Sequence, residues 1–410
     1  TIIWKKDQKE LVLVRGAPER ILESSTSAFL NGKKVSLTDK NTRIVQDAFT
    51  SFAKEGLRVI GFGYREIIDG KKFEREELEK KLIFLGFVGI YDPPRPEAKE
   101  AVKKANEAGI RTVMVTGDNE ITAVSIAREI GLIEKEEDVV TGSELRALSD
   151  EQILPILKKV RIFARTTPMD KLRLVELFKK QGHVVGVTGD GVNDALALKR
   201  ADVGIAMGKT GTDVAKEASD IVVTDDNFTS LVSAVEEGRT IYNNIVKAIT
   251  FLLSANLAEV GMIFFAILFG MPVPLLPTQI LWMNLVSDGL PALALASDSK
   301  DPHILHRLPR DPKEPIINLP IIKRILIGAF LMTTITLFAF SISLQSAGID
   351  AARVIAFNFM IGLQMIFIFF VRGRKHPLSN HFLLITIAIT VFMQMIIMMV
   401  PPLREIFHIL

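Results

Sequence analysis

Five apolar stretches in the second half constrain this chain more than any other feature. They run at about 245–269, 275–297, 320–344, 352–371 and 381–400, each near the roughly 20 residues a helix needs to cross a bilayer's hydrocarbon core. In lipid the backbone must satisfy its own hydrogen bonds, so these stretches are predicted to be helices packed in a bundle. The linkers carry an orientation signal. The 298–318 loop holds Lys300, Arg307, Arg310 and Lys313, and the 372–380 loop holds Arg372, Arg374 and Lys375. The intervening linkers, GMPVPLLP and SAGIDAAR, share one Arg. Basic loops stay on the cytoplasmic side, so these loops and the first half are expected in the cytoplasm, with five spans leaving the C-terminus outside.

Residues 1–240 carry most of the charge. The formal net charge is only +3 over 410 residues, which gives no reason to expect a nucleic-acid partner or a disordered tail. There is no Cys and the six His are scattered, so any metal is expected on oxygen ligands. The chain opens on Thr1 in a charged segment without a signal peptide, and is read as a fragment. The expected division is 1–91, with strand runs LVLV (11–14), RVIGFGY (58–64) and LIFLGFVGI (82–90); a Pro-broken hinge DPPRP at 92–96; 97–227; and a stalk and membrane region at 228–410. After the hinge, helical segments (96–109, 119–131, 168–182, 192–202) alternate with short strands (TVMV, VRIFAR, HVVGV, VGIAM, DIVVT). That alternation predicts an α/β unit with a doubly wound parallel sheet, whose ligand sits at the carboxyl ends of the strands.

Two such ends carry related loops, VMVTGDN and VVGVTGDGVNDALALKRADVGIAMG. One TGD loop is an ordinary turn. Two at neighbouring strand ends, with Lys171 on an intervening segment, point to a phosphate site. Thr116, Gly117 and Lys171 can offer a hydroxyl, a backbone N–H and a charge to phosphate oxygens, while Asp190 and Asp194 suit magnesium. Ionisable groups within the spans are costly and usually functional. Asn256 and Glu259 share a helix face; Asn284 and Asp288 are four apart, with Ser287 beside them and Pro291 disturbing the helix. Two carboxylates, two amides and a hydroxyl make an oxygen set suited to calcium. For Ser287, Glu259 and Asp288 the plain alternative is a polar residue that packs helices.

Together TGDGVNDALALKRADVGIAMG, VMVTGDN, YDPPRPEAKEAV and RGAPERIL resemble P-type ion-pumping ATPases along essentially the whole chain. The resemblance implies a haloacid-dehalogenase-like phosphorylation domain, part of an α+β nucleotide-binding domain, a helical membrane bundle, ATP and Mg2+ as cofactors, and an aspartyl-phosphate cycle. By position it makes Asp190 the magnesium ligand, with Asn193 and Asp194 supporting the phosphate site. Thr116, Gly117 and Asp118 hold the aspartyl phosphate, and Lys171 pairs with the phosphoryl group. Arg15 and Gly16, where the family has Lys-Gly, together with Arg58 and Arg165, make nucleotide contacts; for Arg15 and Arg58 the alternative is a solvated cation.

The pair NLAEV and NLVSDGLPA resembles the fifth and sixth helices of sarcoplasmic-reticulum-type calcium pumps, with Ser287 for Thr, and Gln364 takes the place of an eighth-helix Glu. The family's DKTGT nucleophile motif is absent, and GKTGT at 208–212 is read as a glycine turn after GIAM. The TGE motif, the first four membrane helices and most of the nucleotide domain are also missing, and Leu196 stands where Pro is usual. VPPLREIF resembles the loop after the ninth helix. The expectation is calcium transport by the full-length protein and no activity from this piece alone. The alternatives are a sodium or other cation pump, or a non-catalytic membrane protein.

Overall fold

The computed structural model describes residues 1–6, 9–30, 32–67, 75–91, 93–133, 139–373 and 377–409. Asp92 of the expected hinge, and Arg374 and Lys375 of the basic loop, lie outside the described residues. The chain forms two compact units, Thr1–Val232 and Ser233–Leu410.

The first unit opens with β1 (Ile2–Lys6), β2 (Lys9–Gly16), α1 (Pro18–Glu23), β3 (Ser25–Leu30), β4 (Lys33–Ser36), α2 (Asp39–Lys54), β5 (Arg58–Ile67), α3 (Arg75–Leu78) and β6 (Leu82–Ile90). These strands make a six-stranded sheet in the order β1-β2-β5-β6-β3-β4, antiparallel except for β3 against β6. Val12, Val14, Val59, Leu82 and Phe84 pack beneath α1 (Ile21, Leu22) and α2 (Val45, Phe49, Ala53). The period-two alternation of the strands thus meets the helical period of α2 in one core. A Cβ on Gly61 would lie 2.7 Å from Pro18 Cα, so this glycine is what lets the start of α1 approach β5 so closely.

There follow α4 (Ala98–Glu107), β7 (Met114–Val115), α5 (Glu120–Glu129), β8 (Val139–Thr141), α6 (Gly142–Ala147), α7 (Asp150–Leu157), β9 (Ile162–Ala164), α8 (Pro168–Lys180), β10 (Gly186–Gly189), α9 (Ala195–Arg200), β11 (Val203–Met207), α10 (Asp213–Ala218) and β12 (Ile221–Val223). All pairings here are parallel, as the alternation predicts, but the expected single sheet is corrected to two, β7-β9-β8 and β10-β11-β12. The division falls between the two TGD strands: among the described residues β7 bonds only to β9 and β10 only to β11, so each presents an edge without a partner strand.

The second unit contains most of α11 (Phe228–Leu268), then α12 (Pro277–Trp282), a π-helical turn (Met283–Asp288), α13 (Gly289–Ala296), α14 (Leu319–Arg372), α15 (His381–Met399) and α16 (Pro401–Ile406). Three of the described helices, α11, α14 and α15, are long and apolar enough to cross a membrane. The 275–297 stretch is not one helix but an α–π–α succession. Pro291 cannot donate to the carbonyl four residues back, at Ser287, and a widened turn absorbs that lost bond. α14 is two helices, 319–347 and 349–372, joined at Gly348 with φ 86° and ψ 175°, a conformation essentially reserved for glycine.

Candidate functional site

The phosphate-type loops of the first unit are built from their glycines outward. β7 is followed by Thr116, whose N–H donates to Phe163 O at 2.9 Å. The Thr116 hydroxyl lies 3.0 Å from Asp118 Oδ2 and accepts from the Asp118 N–H at 3.1 Å. Thr166 donates to Thr116 O through both its N–H (3.0 Å) and its hydroxyl (2.9 Å). Asn119 then caps α5 through Thr122 N–H at 2.9 Å, and Gly117 stands exposed at the turn.

The second loop leaves β10 at Gly189, where a Cβ would fall 2.5 Å from Asp194 Cβ. A 3-10 turn, Val192–Asp194, brings the Asp194 carboxylate back under the loop, where Oδ2 accepts from Gly191 N–H at 3.2 Å. Its Oδ1 accepts from Lys171 Nζ at 2.6 Å. Lys171 stands in the first turn of α8, which starts at Thr167-Pro168 with a capping box closed by Asp170. Asp170 is itself buried and paired with Arg146, which fixes the start of the helix that carries this lysine. Asp190 and Asn193 remain exposed, while Asp194 is buried.

The GKTGT segment is a turn and a cap, as its place after GIAM predicts. A Cβ on Gly211 would fall 2.0 Å from Met207 O, Thr212 caps α10 through Ala215 N–H at 3.3 Å, and Thr212 N–H donates to Asp190 O at 2.8 Å. Asp226, which the sequence reading passed over, pins this turn by accepting from the N–H groups of Lys209 and Thr210, both at 2.8 Å. Burial works to raise its carboxyl, but those backbone donors outweigh it and hold the group down to about 2. Arg95 of the DPPRP segment donates to Asp226 O. A cavity of about 390 Å³ lies among Arg95, Lys171, Asp190, Asp194, Thr210 and Asp226.

No three acidic or His side chains cluster as a metal cage among the described residues. An exposed Asp190 at the cavity wall nevertheless fits magnesium, which keeps several waters and takes one or two carboxylates together with phosphate oxygens. The remaining cations predicted for this unit are spread around it. Arg15 and Gly16 end β2, opposite Phe62 and Gly61, and Arg58 opens β5; both arginines are exposed. Arg165 holds φ 50°, rare for a residue with a side chain. Its N–H donates to Asp118 O at 2.8 Å and its guanidinium lies 3.4 Å from Glu19 of RGAPE.

In the second unit, Glu259, Ser287, Asp288 and Gln364 are all buried, at 3%, 0%, 1% and 0% exposure. Gln364 Nε2 donates to Glu259 Oε1 at 3.1 Å, joining α11 to α14. Among the described residues, both Asp288 oxygens, Ser287 Oγ and Gln364 Oε1 have no hydrogen-bond partner. A buried carboxylate with neither of its oxygens satisfied is strongly unfavourable unless a cation or proton joins it. Asn256 and Asn284 are exposed and are not gathered into this group.

The family model for the P-type ATPase cytoplasmic domain N matches residues 1–97, and the model for the cation-transporting ATPase C-terminus matches residues 272–410. A calcium-transporting ATPase of Bacillus subtilis is 39% identical over 414 residues, covering 99% of this chain and 46% of that protein. Calcium-transporting ATPase 1 of Bacillus cereus is 40% identical, covering 98% and 48%. Calcium-transporting ATPase type 2C member 1 of Bos taurus is 39% identical, covering 82% and 34%. The chain thus spans about half the length of the bacterial relatives it matches. Matched along nearly its full length, the chain belongs to the P-type cation-transporting ATPases.

Proposed function

We propose that this chain works in ATP-driven calcium transport through an aspartyl-phosphate cycle. The observation that carries calcium is the buried oxygen group of the second unit: Asp288, with no partner on either oxygen among the described residues, beside Ser287, Glu259 and Gln364. Two carboxylates, an amide and a hydroxyl in one buried place suit a hard divalent cation. Asn256 and Asn284 add amide oxygens if their helices turn toward it, and the names of the relatives favour the same ion. The membrane helices sit in a lipid bilayer as a multi-pass bundle, with the first unit on the cytoplasmic side where Lys300, Arg307, Arg310, Lys313 and Arg372 also lie.

In the first unit we assign residues 97–227 to a haloacid-dehalogenase-like phosphorylation domain and 1–91 to part of a nucleotide-binding domain. No DKTGT sequence occurs in the 410 residues, so the acceptor carboxylate of this cycle has to come from outside them. Its strand would pair with β7 and β10, each of which has one edge without a partner strand among the described residues. Thr116, Gly117 and Asp118 then receive the phosphorylated group from one side. Lys171, already oriented by Asp194, neutralises the phosphoryl oxygens from the other. Asp190, supported by Asn193, would hold Mg2+, which supplies charge neutralisation at the phosphoryl group when bound. ATP lies along Arg15, Gly16, Arg58 and Arg165.

Calcium-dependent and sodium-dependent ATP hydrolysis, measured side by side on the pump in membranes, test the reading. Calcium is expected to stimulate hydrolysis and sodium to leave it unchanged; stimulation by sodium alone would make this a sodium pump. The 410-residue chain by itself is expected to take up no acid-stable phosphate from ATP.

A further inference from the structure

One buried charge cluster of the second unit takes no part in the site above. Asp298, just beyond the end of α13, has a fully buried side chain. Its Oδ2 accepts from Lys247 Nζ of α11 at 2.9 Å. Its Oδ1 accepts from Arg372 Nε at the end of α14 at 3.2 Å, and from Asn380 Nδ2 at 3.1 Å. Asn380 is the N-cap of α15 and also donates to Ala294 O at 3.2 Å. The Asp298 carbonyl accepts from Asn244 Nδ2 of α11 at 2.6 Å. Arg372 is itself 1% exposed and reaches Ser379 at 2.6 Å. One carboxylate therefore gathers two cations and an amide from three other helices, at the C-terminal end of a fourth.

Each helix that bears a buried oxygen ligand is fastened here. Glu259 stands twelve residues beyond Lys247 on α11, Gln364 eight before Arg372 on α14, and Asp288 ten before Asp298. At 1.5 Å per residue these are lever arms of roughly 12 to 18 Å. A tilt of about 5° at the fastening would carry a ligand atom about 1 to 1.5 Å, enough to spoil an oxygen cage whose bonds must hold to tenths of an ångström. A cluster that served only to fill space would be better made of apolar side chains, since burying two cations on one carboxylate is costly, and here three helices meet on that one carboxylate.

We infer that Asp298 is a positioning residue: by clamping Lys247, Arg372 and Asn380 it fixes the mutual register of the three helices that carry Glu259, Asp288 and Gln364, and so sets cation affinity. The inference rests on the calcium reading for its consequence, but not for its geometry. These 410 residues hold no Cys, so in a pump whose Cys outside them are replaced, spin labels can be placed through Cys introduced at the exposed positions Ile245, Leu293 and Phe370 and their pairwise distances measured in the folded protein. Asp298→Asn is expected to replace single narrow distances by broad or shifted ones, and to raise the calcium concentration for half-maximal ATP hydrolysis roughly tenfold with a much smaller change in maximal rate. A purely structural role would lower the amount of active pump and leave half-activation where it was. Should Asp298→Asn fail to fold, Lys247→Met removes one cation while Arg372 keeps its partner, and a smaller shift in the same direction is expected. Unchanged distances in the folded variant, or unchanged half-activation alongside altered distances, would overturn the inference. Altered distances in a pump that calcium does not activate would instead overturn the calcium reading and leave the clamp standing.

Discussion

Gly189 leaves no room for a side chain, because the returning Asp194 occupies the space a Cβ would take. Gly189→Ala is expected to push Asp194 off Lys171 and destabilise the first unit by about 1–3 kcal/mol, seen as a lower thermal midpoint together with loss of phosphoenzyme. Arg165 presents the opposite case, a side chain kept where glycine would be easier. Its φ of 50° costs on the order of 1 kcal/mol for a residue with a Cβ. Arg165→Gly should therefore leave stability nearly unchanged, while the ATP concentration for half-saturation rises about tenfold through the lost guanidinium; a fall in stability with unchanged ATP dependence would show that Arg165 is structural. Asp226 supplies a pH test. Its folded-state value, about 2, lies below the ordinary 3.8, so its stabilisation is complete above about pH 4 and is lost as the pH falls toward 2. Hydrogen exchange at the Lys209 and Thr210 amides, corrected for intrinsic rate, should lose protection across that interval in the wild type. Asp226→Asn should show weak protection with no such step.

At the scale of elements, the clearest readings came where one local rule acted alone. Gly and Asp at strand ends marked the TGD loops, and LIFLGFVGI coincides with β6 residue for residue. β3, β4 and α2 were not legible because their residues are mostly polar and their burial depends on a sheet assembled from distant strands. The same limit hid Asp226, which reads as one of several loop acids until the chain brings it against Lys209. It also hid the Asp298 clamp, since Arg372 read as a loop cation and Lys247 as part of an apolar span. The break in α14 could be placed only loosely, between 344 and 352; its cause is Gly348. Gly348→Ala is expected to cost about 1–3 kcal/mol, because no side-chain-bearing residue rests comfortably at φ 86°, ψ 175°. Thermal unfolding in detergent would measure it, and a neutral result would mean that the two halves of α14 can rejoin another way.

At the scale of the whole molecule, one element belongs to both units. α11 begins at Phe228, which helps line the cavity of the first unit, and continues through the second unit to Leu268, carrying Glu259 on the way. If this helix is what joins the two proposed sites, breaking it between them should uncouple them. The link can be cut without touching either site. Glu237 is exposed, and Glu237→Pro removes a helical hydrogen bond and clashes with the carbonyl four residues before it, a local cost of about 3 kcal/mol. Since the cavity residues and the buried oxygen group are each held by contacts within their own unit, magnesium-dependent binding of a phosphate analogue and binding of calcium are both expected to persist separately. What should disappear is their mutual dependence. Calcium would no longer stimulate ATP hydrolysis, and the phosphate analogue would no longer alter calcium affinity, because coupling between two sites is one free energy read from either side. If calcium stimulation survived Glu237→Pro in full, an intact α11 could not be the element that joins the two sites.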